Sequence, residues 1–374
     1  MTQNTYSFKL NKVSKVISNK FEDLSTFLRY HFEEPTTYTS DELYYFDENG
    51  VKRYTKKGQD AFYKVSKLDY LNTKNKLNGV DIIGQTLESV SLEKRGEIWN
   101  DLHGQLVKHI NSLKKLYPYR DFSKIYQKAN NIVFRIRYEN TDFNIEADQF
   151  CNNQFPLIGI HIEPQYISDE HGLTGIRHEF THFCCDSNDK NPNYVRNYLT
   201  IMPTILTEGC TQMVTNNVLV YEKFDKGCID FAKSTYDVYT KIAEIYISLL
   251  GEKNVLDSYF EQNMKYINNA FLNVASRIPR YSKLIDSTFV ERLNMDLTRL
   301  FFCTTRGVNA VDMKQNSIYD FPYFIKFLEF AYNIFDREPN YDVAMQNTDK
   351  INYILSSFDA FFKAKKANGE AVLR

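Results

Sequence analysis

The chain has 374 residues, of which 43% are hydrophobic and 25% are charged. This length is enough to bury a large core and corresponds to about two to three structural units. The 46 basic and 47 acidic side chains nearly cancel, so there is no electrostatic argument for nucleic acid or an anionic membrane as partner. The composition predicts an ordinary soluble globular protein.

The sequence contains no recognisable targeting segment. The longest apolar runs, such as residues 245–250, are far shorter than the roughly 20 residues of a membrane-spanning helix. Residues 1–20 alternate polar and apolar side chains and lack the apolar core of a secretory signal. We therefore expect a cytoplasmic protein, or one exported by a route that needs no such signal.

Residues 1–125 are predicted to be mostly helical. One interruption lies at residues 43–54, where Asn49-Gly50 separates two β-prone runs in a pattern typical of a hairpin. Apolar residues recur at helical intervals from Leu87 to Leu116. His103 and His109 are six residues apart in this helix, so they point in different directions and are poor partners for one metal ion.

The pattern changes to β-rich after Tyr117-Pro118. Three segments, 131–138, 143–147 and 156–162, have the alternation and β-branched content of strands. They predict a small sheet immediately before the next helix. We propose residues 159–162 as an exposed strand to which an extended peptide could add by backbone hydrogen bonds.

The helix after these strands contains His178-Glu179-Phe180-Thr181-His182, an H-E-x-x-H pattern. The two imidazoles are one turn apart on the same face, close enough to bind one metal ion, and Glu179 lies beside them. Four apolar residues follow helical spacing on the other flank: Leu173, Ile176, Phe180 and Phe183.

The same helix has predicted start and stop positions. Ser168 or Asp169 could cap its beginning, and the polar cluster at residues 187–189 would end it. The pattern therefore lies on a short amphipathic helix.

A second helix offers a third metal ligand. Pro203 suits the first turn of a helix because it has no N–H to leave unpaired. Five residues of this helix share one polar face: Thr204, Glu208, Thr211, Gln212 and Thr215. Glu208 lies 26 positions after His182, and His178, His182 and Glu208 would form the three-ligand set of a catalytic zinc site with one open position.

Residues 226–374 are predicted to be a helical domain whose Phe and Tyr stripes form its core. The predicted fold is therefore α+β and predominantly helical, with a small β-sheet packed beside an active-site helix and flanking helical regions. We place an N-terminal, mostly helical region at 1–125, the core at 126–225 and the C-terminal helical domain at 226–374.

Six cysteines are scattered along the chain without a C-x-x-C pair. Cys184, Cys185 and Cys210 follow the predicted ligands closely, and redox control or zinc ligation is one interpretation of them. Small buried thiols are the interpretation we favour.

HEFTH followed by TEGCTQ resembles the gluzincin group of zinc metallopeptidases, in which a second helix supplies a Glu ligand. The resemblance is specific over residues 172–216, and it implies a zincin-like fold for the predicted core. It implies that His178, His182 and Glu208 bind Zn²⁺ and that Glu179 is the general base. Many gluzincins have an Asp one turn after the Glu ligand to orient a metal-bound histidine, and Gln212 stands there in this chain. Gluzincins also commonly place an oxyanion donor downstream of the helix that supplies the Glu ligand. Tyr194, Tyr198, Arg280 and Tyr281 are candidates for this donor. We prefer the pair Arg280-Tyr281 because it lies downstream of that helix.

The sequence therefore predicts a zinc-dependent metallopeptidase that hydrolyses peptide bonds through a zinc-activated water, with Glu179 as base. Its partner would be a peptide or protein substrate. Two alternatives stay open: a zinc-binding interaction protein without turnover, and a metallohydrolase that acts on a non-peptide bond.

Overall fold

The structure is a computed structural model. It describes residues 5–7, 37–39, 44–46, 52–54, 57, 67–68, 70–83, 90–137, 151–152, 155–161, 170–185, 202–304 and 317–368. The chain folds as two compact units. Unit 1 contains residues 1–195 and 215–232, and unit 2 contains residues 196–214 and 233–374. The predicted N-terminal region and most of the predicted core thus contribute to unit 1, and most of the predicted C-terminal domain forms unit 2.

Two antiparallel strand pairs come first in unit 1. β1 (Thr5–Ser7) pairs with β2 (Thr37–Thr39). β3 (Tyr44–Phe46) pairs with β4 (Lys52–Tyr54), which confirms the predicted hairpin. The turn at Asn49-Gly50 lies outside the described residues.

A four-stranded sheet forms the centre of unit 1. Its strands are β5 (Val80–Ile83), β6 (Val133–Arg137), β7 (Cys151–Asn152) and β8 (Phe155–His161), in the order β5-β6-β8-β7. β5, β6 and β8 are parallel, and β7 is antiparallel to β8. The strands predicted at 131–138 and 156–162 are confirmed within a few residues, and the segment 143–147 lies outside the described residues.

The two faces of this sheet differ in chemistry. One face carries the neighbouring residues Val80, Phe134 and Ile158, which are fully buried. The next residue along each strand points to the other face. On that other face Arg135 Nε lies 3.2 Å from Asp81 Oδ2, and the two residues are direct neighbours in the parallel register. The pairing satisfies two buried charges that would be costly alone.

Among its described residues, unit 1 includes three helices that lie before residue 185. They are α1 (Leu92–Leu116), α2 (Ser123–Ala129) and α3 (Glu170–Phe183). α1 begins later than the predicted Leu87 because the side chain of Ser91 caps it by accepting from the backbone N–H of Lys94.

α3 is the helix that carries the H-E-x-x-H pattern. Ile176, Phe180 and Phe183 are fully buried, which confirms the predicted amphipathic helix. The predicted cap at 168–169 and the predicted stop at 187–189 lie outside the described residues. At the end of α3, Lys128 Nζ donates to the carbonyl oxygen of Phe183 at 3.1 Å, where a cation suits the negative end of the helix dipole.

α4 (Thr204–Tyr221) is continuous, although its residues before Thr215 belong to unit 2 and the rest belong to unit 1. Pro203 lies directly before the first turn rather than inside it, and its carbonyl oxygen accepts from the N–H groups of Leu206 and Thr207. The predicted polar face of this helix is buried at Thr211, Gln212 and Thr215.

The remaining helices confirm the predicted helical C-terminal region. They are α5 (Lys226–Ser234), α6 (Asp237–Leu250), α7 (Glu252–Phe260), α8 (Lys265–Ser276), α9 (Ser287–Thr304), α10 (Pro322–Phe335) and α11 (Tyr341–Asn368). α6 ends at Gly251, whose φ of +84° is the left-handed conformation that favours glycine. The aromatic stripes form the core of unit 2, as predicted; the rings of Tyr246 and Phe327, for example, stack at 4.5 Å.

The described residues confirm a predominantly helical α+β fold. Among them, no helix is both long enough and apolar enough to cross a membrane.

Candidate metal centre

α3 brings the two histidines of the H-E-x-x-H pattern together. Their Nε2 atoms are 3.1 Å apart, and the rings meet edge to face with centroids 4.8 Å apart. Both side chains reach the same point because residues four apart are one helical turn apart. His178 is buried and His182 is half-buried.

Glu179 completes a compact group of potential ligands. Its Oε1 lies 4.0 Å from His178 Nε2, and one ligand atom from each of His178, Glu179 and His182 lies within 4.8 Å of the other two. Only 7% of His178 and 6% of Glu179 are exposed, so the group is largely shielded from bulk water. A shielded carboxylate and two imidazoles are suitable chemistry for a cation or for proton transfer.

The distance between the imidazoles fits a zinc ion. Two nitrogen ligands of a tetrahedral zinc, each at 2.0–2.1 Å, lie about 3.3 Å apart, close to the 3.1 Å between His178 Nε2 and His182 Nε2. The same distance also suits a hydrogen bond between two neutral imidazoles, in which one Nε2–H donates to the other ring. The geometry is therefore compatible with metal binding without requiring it.

Glu208, the predicted third ligand, lies on α4 within unit 2 and is half-buried. In the same unit its negative charge adds to burial in raising the pKa of the Tyr239 hydroxyl. That hydroxyl shares a hydrogen bond of 2.7 Å with Thr304 Oγ1. Glu208 therefore lies near enough to a buried phenol to influence it, which the sequence did not indicate.

The other predicted residues are engaged in packing within unit 2. Gln212 is buried on α4. The ring of Tyr281 packs edge-on against Phe330 at a centroid distance of 4.8 Å, and the Arg280 guanidinium lies 5.5 Å from the Tyr281 ring centroid. Tyr194 and Tyr198 lie outside the described residues. The role of Arg280 and Tyr281 as oxyanion donors stays a prediction.

Two polar residues of α3 that the sequence analysis missed are buried beside the histidines. Arg177 forms an ion pair with Glu222 at 2.8 Å. Thr181 Oγ1 lies 3.0 Å from His109 Nε2 and 2.8 Å from Thr215 Oγ1. The sequence shows that Arg177 and Thr181 directly precede the two histidines. Their hydrogen-bond partners could not be predicted, because those partners are distant in sequence.

Burial changes the acid–base properties of this polar group. The pKa of His109 is lowered well below its usual value of 6.5, because desolvation disfavours the imidazolium and the positive charge of Arg177 adds to this effect. Burial also lowers the pKa of Arg177, while the carboxylate of Glu222 opposes that change. His109 is therefore neutral near pH 7.

The described cysteine side chains support the simpler interpretation of the thiols. Cys184, Cys185, Cys210, Cys228 and Cys303 are buried and form no disulfide. The side chain of Cys151 is not among those that the structure describes.

Comparison with known proteins gives no relative from which a role could be transferred. No protein-family model matches the chain, and neither the curated proteins nor the solved structures contain a match.

Proposed function

We propose that this chain is a zinc-dependent metallopeptidase of the gluzincin type. The observation that supports this best is the 3.1 Å distance between the Nε2 atoms of His178 and His182, with Glu179 beside them. Three features are difficult to explain by packing alone: the two imidazoles converge, a carboxylate adjoins them, and the group is nearly buried. A cation bound between the two imidazoles and the carboxylate would offset the cost of burying that negative charge.

Glu179 is the proposed general base. Its carboxylate is held beside His178, where it can accept a proton from water and later deliver that proton to the leaving amine. Shielding from bulk solvent keeps the proton within the site. When bound, zinc supplies the Lewis acidity that polarises the scissile carbonyl and acidifies water.

Glu208 remains the proposed third ligand. The sequence pattern supports this role, since Glu208 lies 26 positions after His182 on the predicted polar face of its helix. A ligand on a regular helix is held more firmly than one on a loop, as a catalytic metal site requires.

A peptide or protein substrate is consistent with the sheet of unit 1. β7 pairs only with Phe155 and Pro156 of β8. Among the described strands, residues 157–161 of β8 therefore pair on one side only, with β6. An extended peptide could add to the other side through its backbone.

Metal analysis combined with one isosteric variant tests the proposal. Purified protein should contain about one zinc per chain, and it should cleave members of a peptide library. Glu179→Gln should keep the zinc and lose hydrolysis, because the amide cannot act as a base. Glu93→Gln is the matched control, since Glu93 is exposed in the first turn of α1, and it should keep full activity.

The outcomes separate the alternatives. Zinc without hydrolysis of any peptide, but with hydrolysis of an ester or amide of another kind, would favour a metallohydrolase of a non-peptide bond. Zinc without turnover would favour an interaction protein. Absence of zinc would overturn the proposal.

A cytoplasmic location of the protein stays a prediction.

A further inference from the structure

We infer that Arg177 and Thr181 are positioning residues that fix the rotation of α3 and so set the direction in which the paired His178 and His182 side chains face. The inference rests on the proposed zinc site and adds the device that shapes it. It concerns residues of unit 1 only, and it is carried by two groups of buried hydrogen bonds on α3.

The first group is centred on Arg177. Its Nη2 donates to Glu222 Oε2 at 2.8 Å, and its Nη1 donates to the carbonyl oxygen of Gln105 at 2.5 Å. Only 2% of either charged side chain is exposed. The guanidinium also lies near the rings of Phe180 and Phe224. Arg177 is thus held from several directions in a site that water does not reach.

Glu222 is in turn fixed by other residues. Its Oε1 accepts from Ser112 Oγ at 2.7 Å, and its Oε2 lies 3.3 Å from Lys108 Nζ. Ser112 and Lys108 belong to α1, and Glu222 directly follows α4. The carboxylate therefore joins α3 to two other helical segments of unit 1.

The second group is centred on the hydroxyl of Thr181. This oxygen lies 2.8 Å from the carbonyl oxygen of Arg177, 3.0 Å from His109 Nε2 and 2.8 Å from Thr215 Oγ1. A hydroxyl has one hydrogen, and the carbonyl can only accept. Thr181 therefore donates to the carbonyl and accepts from His109 Nε2–H and from the Thr215 hydroxyl.

The spacing of these residues explains how they act on the histidines. Arg177 and Thr181 are four residues apart and share one side of α3, and each directly precedes a histidine. Each residue turns the helix by about 100° and advances it by about 1.5 Å, so the histidines occupy the adjoining side at the same two levels. A rotation or slide of α3 would break both groups and leave buried charges unpaired, which disfavours every other orientation.

Thr181→Val gives the sharpest test, because it removes the hydroxyl and keeps the shape. We expect zinc affinity, measured by competition with a chromophoric chelator, to fall about 10- to 100-fold, the range for residues that orient metal ligands. Thr181→Ser keeps the hydroxyl and should restore affinity to near the wild-type value. Glu222→Gln is an independent variant that weakens the first group, and it should also lower the affinity.

A matched control separates positioning from general stability. Thr298 is a buried threonine of α9 whose hydroxyl donates to the carbonyl oxygen of Asn294, one turn earlier. Thr298→Val should lower thermal stability without changing zinc affinity. If Thr181→Val and Thr298→Val have equal zinc affinities, or if Thr181→Ser fails to restore binding, the inference is overturned.

Failure of the positioning role can be told from failure of the proposed function. Wild-type protein that binds zinc but cleaves no peptide would refute the peptidase and leave the effect of Thr181→Val on affinity intact. Wild-type affinity in Thr181→Val, together with peptide hydrolysis, would refute only the positioning role. Wild-type protein that binds no zinc would refute both.

Discussion

A β-carbon at Gly209 would lie 2.2 Å from the carbonyl oxygen of Tyr239. The backbones of α4 and α6 therefore approach each other within unit 2 more closely than any side chain at position 209 would allow. Gly209 directly follows the predicted ligand Glu208. The glycine of the TEG string thus has a packing role that fixes the helix beside that carboxylate.

Replacing Gly209 with alanine should destabilise the protein. The added methyl group meets backbone atoms that cannot rotate away, and overpacking of this kind costs about 1–3 kcal/mol. For a chain of this size, the melting temperature should fall by roughly 2–4 °C for each kcal/mol. Calorimetry or thermal unfolding followed by circular dichroism would measure the shift.

Gly104→Ala is the control for this prediction. Gly104 lies in the interior of α1, and a β-carbon there would meet no atom within 4 Å. This substitution should be neutral or raise the free energy of unfolding by about 0.5–1 kcal/mol, because alanine favours helix. Equal melting temperatures of Gly209→Ala and Gly104→Ala would contradict the close helix contact.

Glu208→Gln should weaken zinc binding more strongly than any change in an orienting residue. An amide is a poorer zinc ligand than a carboxylate, so we expect a loss greater than about 100-fold, beyond the 10- to 100-fold typical of orienting residues. Gln212→Ala should lower the zinc affinity by about 10- to 100-fold, as expected for an orienting residue. Equilibrium dialysis against zinc and a competing chelator would rank the variants.

The isosteric change Glu252→Gln is the control for the ligand test. Glu252 is exposed in the first turn of α7, in the same unit as Glu208. The Glu252→Gln variant should bind zinc with the same affinity as the wild-type protein. Glu208 would be excluded as a ligand if its Gln variant also kept wild-type affinity.

His109 should make the metal-free protein less stable as the pH falls below 6.5. The lowered pKa of His109 means that, below 6.5, the unfolded chain binds a proton that the folded protein does not bind. The free energy of unfolding should therefore decrease by up to about 1.4 kcal/mol for each pH unit, until the lowered pKa is reached. Above 6.5 both states are neutral and this contribution does not change.

His109→Gln removes the titrating group and should flatten this dependence. Urea unfolding of the metal-free wild type and variant, at about pH 7 and about pH 5.5, gives the difference directly. The slope of the free energy of unfolding against urea concentration should be the same at the two pH values. A constant slope checks that the folded and unfolded states themselves have not changed. An equal loss of stability in both proteins would show that His109 does not carry the effect.

The five described cysteines should react slowly with a thiol reagent in the native protein. Burial removes the sulfur atoms from solvent, and for Cys303 it raises the pKa of the thiol to about 11. All six cysteines of the chain should react once the protein is unfolded. The reaction can be monitored with a chromogenic thiol reagent. Rapid reaction of two or more thiols in the native protein would contradict their burial.

Local periodicity was enough to predict several elements. The apolar positions Ile176, Phe180 and Phe183 identified α3 and its buried side, because a helix repeats every 3.6 residues whatever its surroundings. Gly251 marked the end of α6 for a similar reason, since few other residues adopt a positive φ without strain. The pairing of His178 with His182 follows from the same geometry.

Partners that are distant in sequence were not predicted. Nothing near Arg177 in the chain indicates that Glu222, 45 residues later, would neutralise it. The contact between Thr181 and His109 spans 72 residues. Asp81 and Arg135 likewise become neighbours only because β5 and β6 pair in a particular register.

The sequence by itself determined which residues can converge within one helical turn, because the spacing of a helix is set by backbone geometry alone. Only the tertiary structure decided which side of α3 is held by buried charges, and that Gly209 must lie against the backbone of Tyr239. Those choices depend on how hydrogen bonds and apolar surface are satisfied across the whole core, which no local pattern records. The H-E-x-x-H pattern supplied the ligands, and packing supplied their orientation.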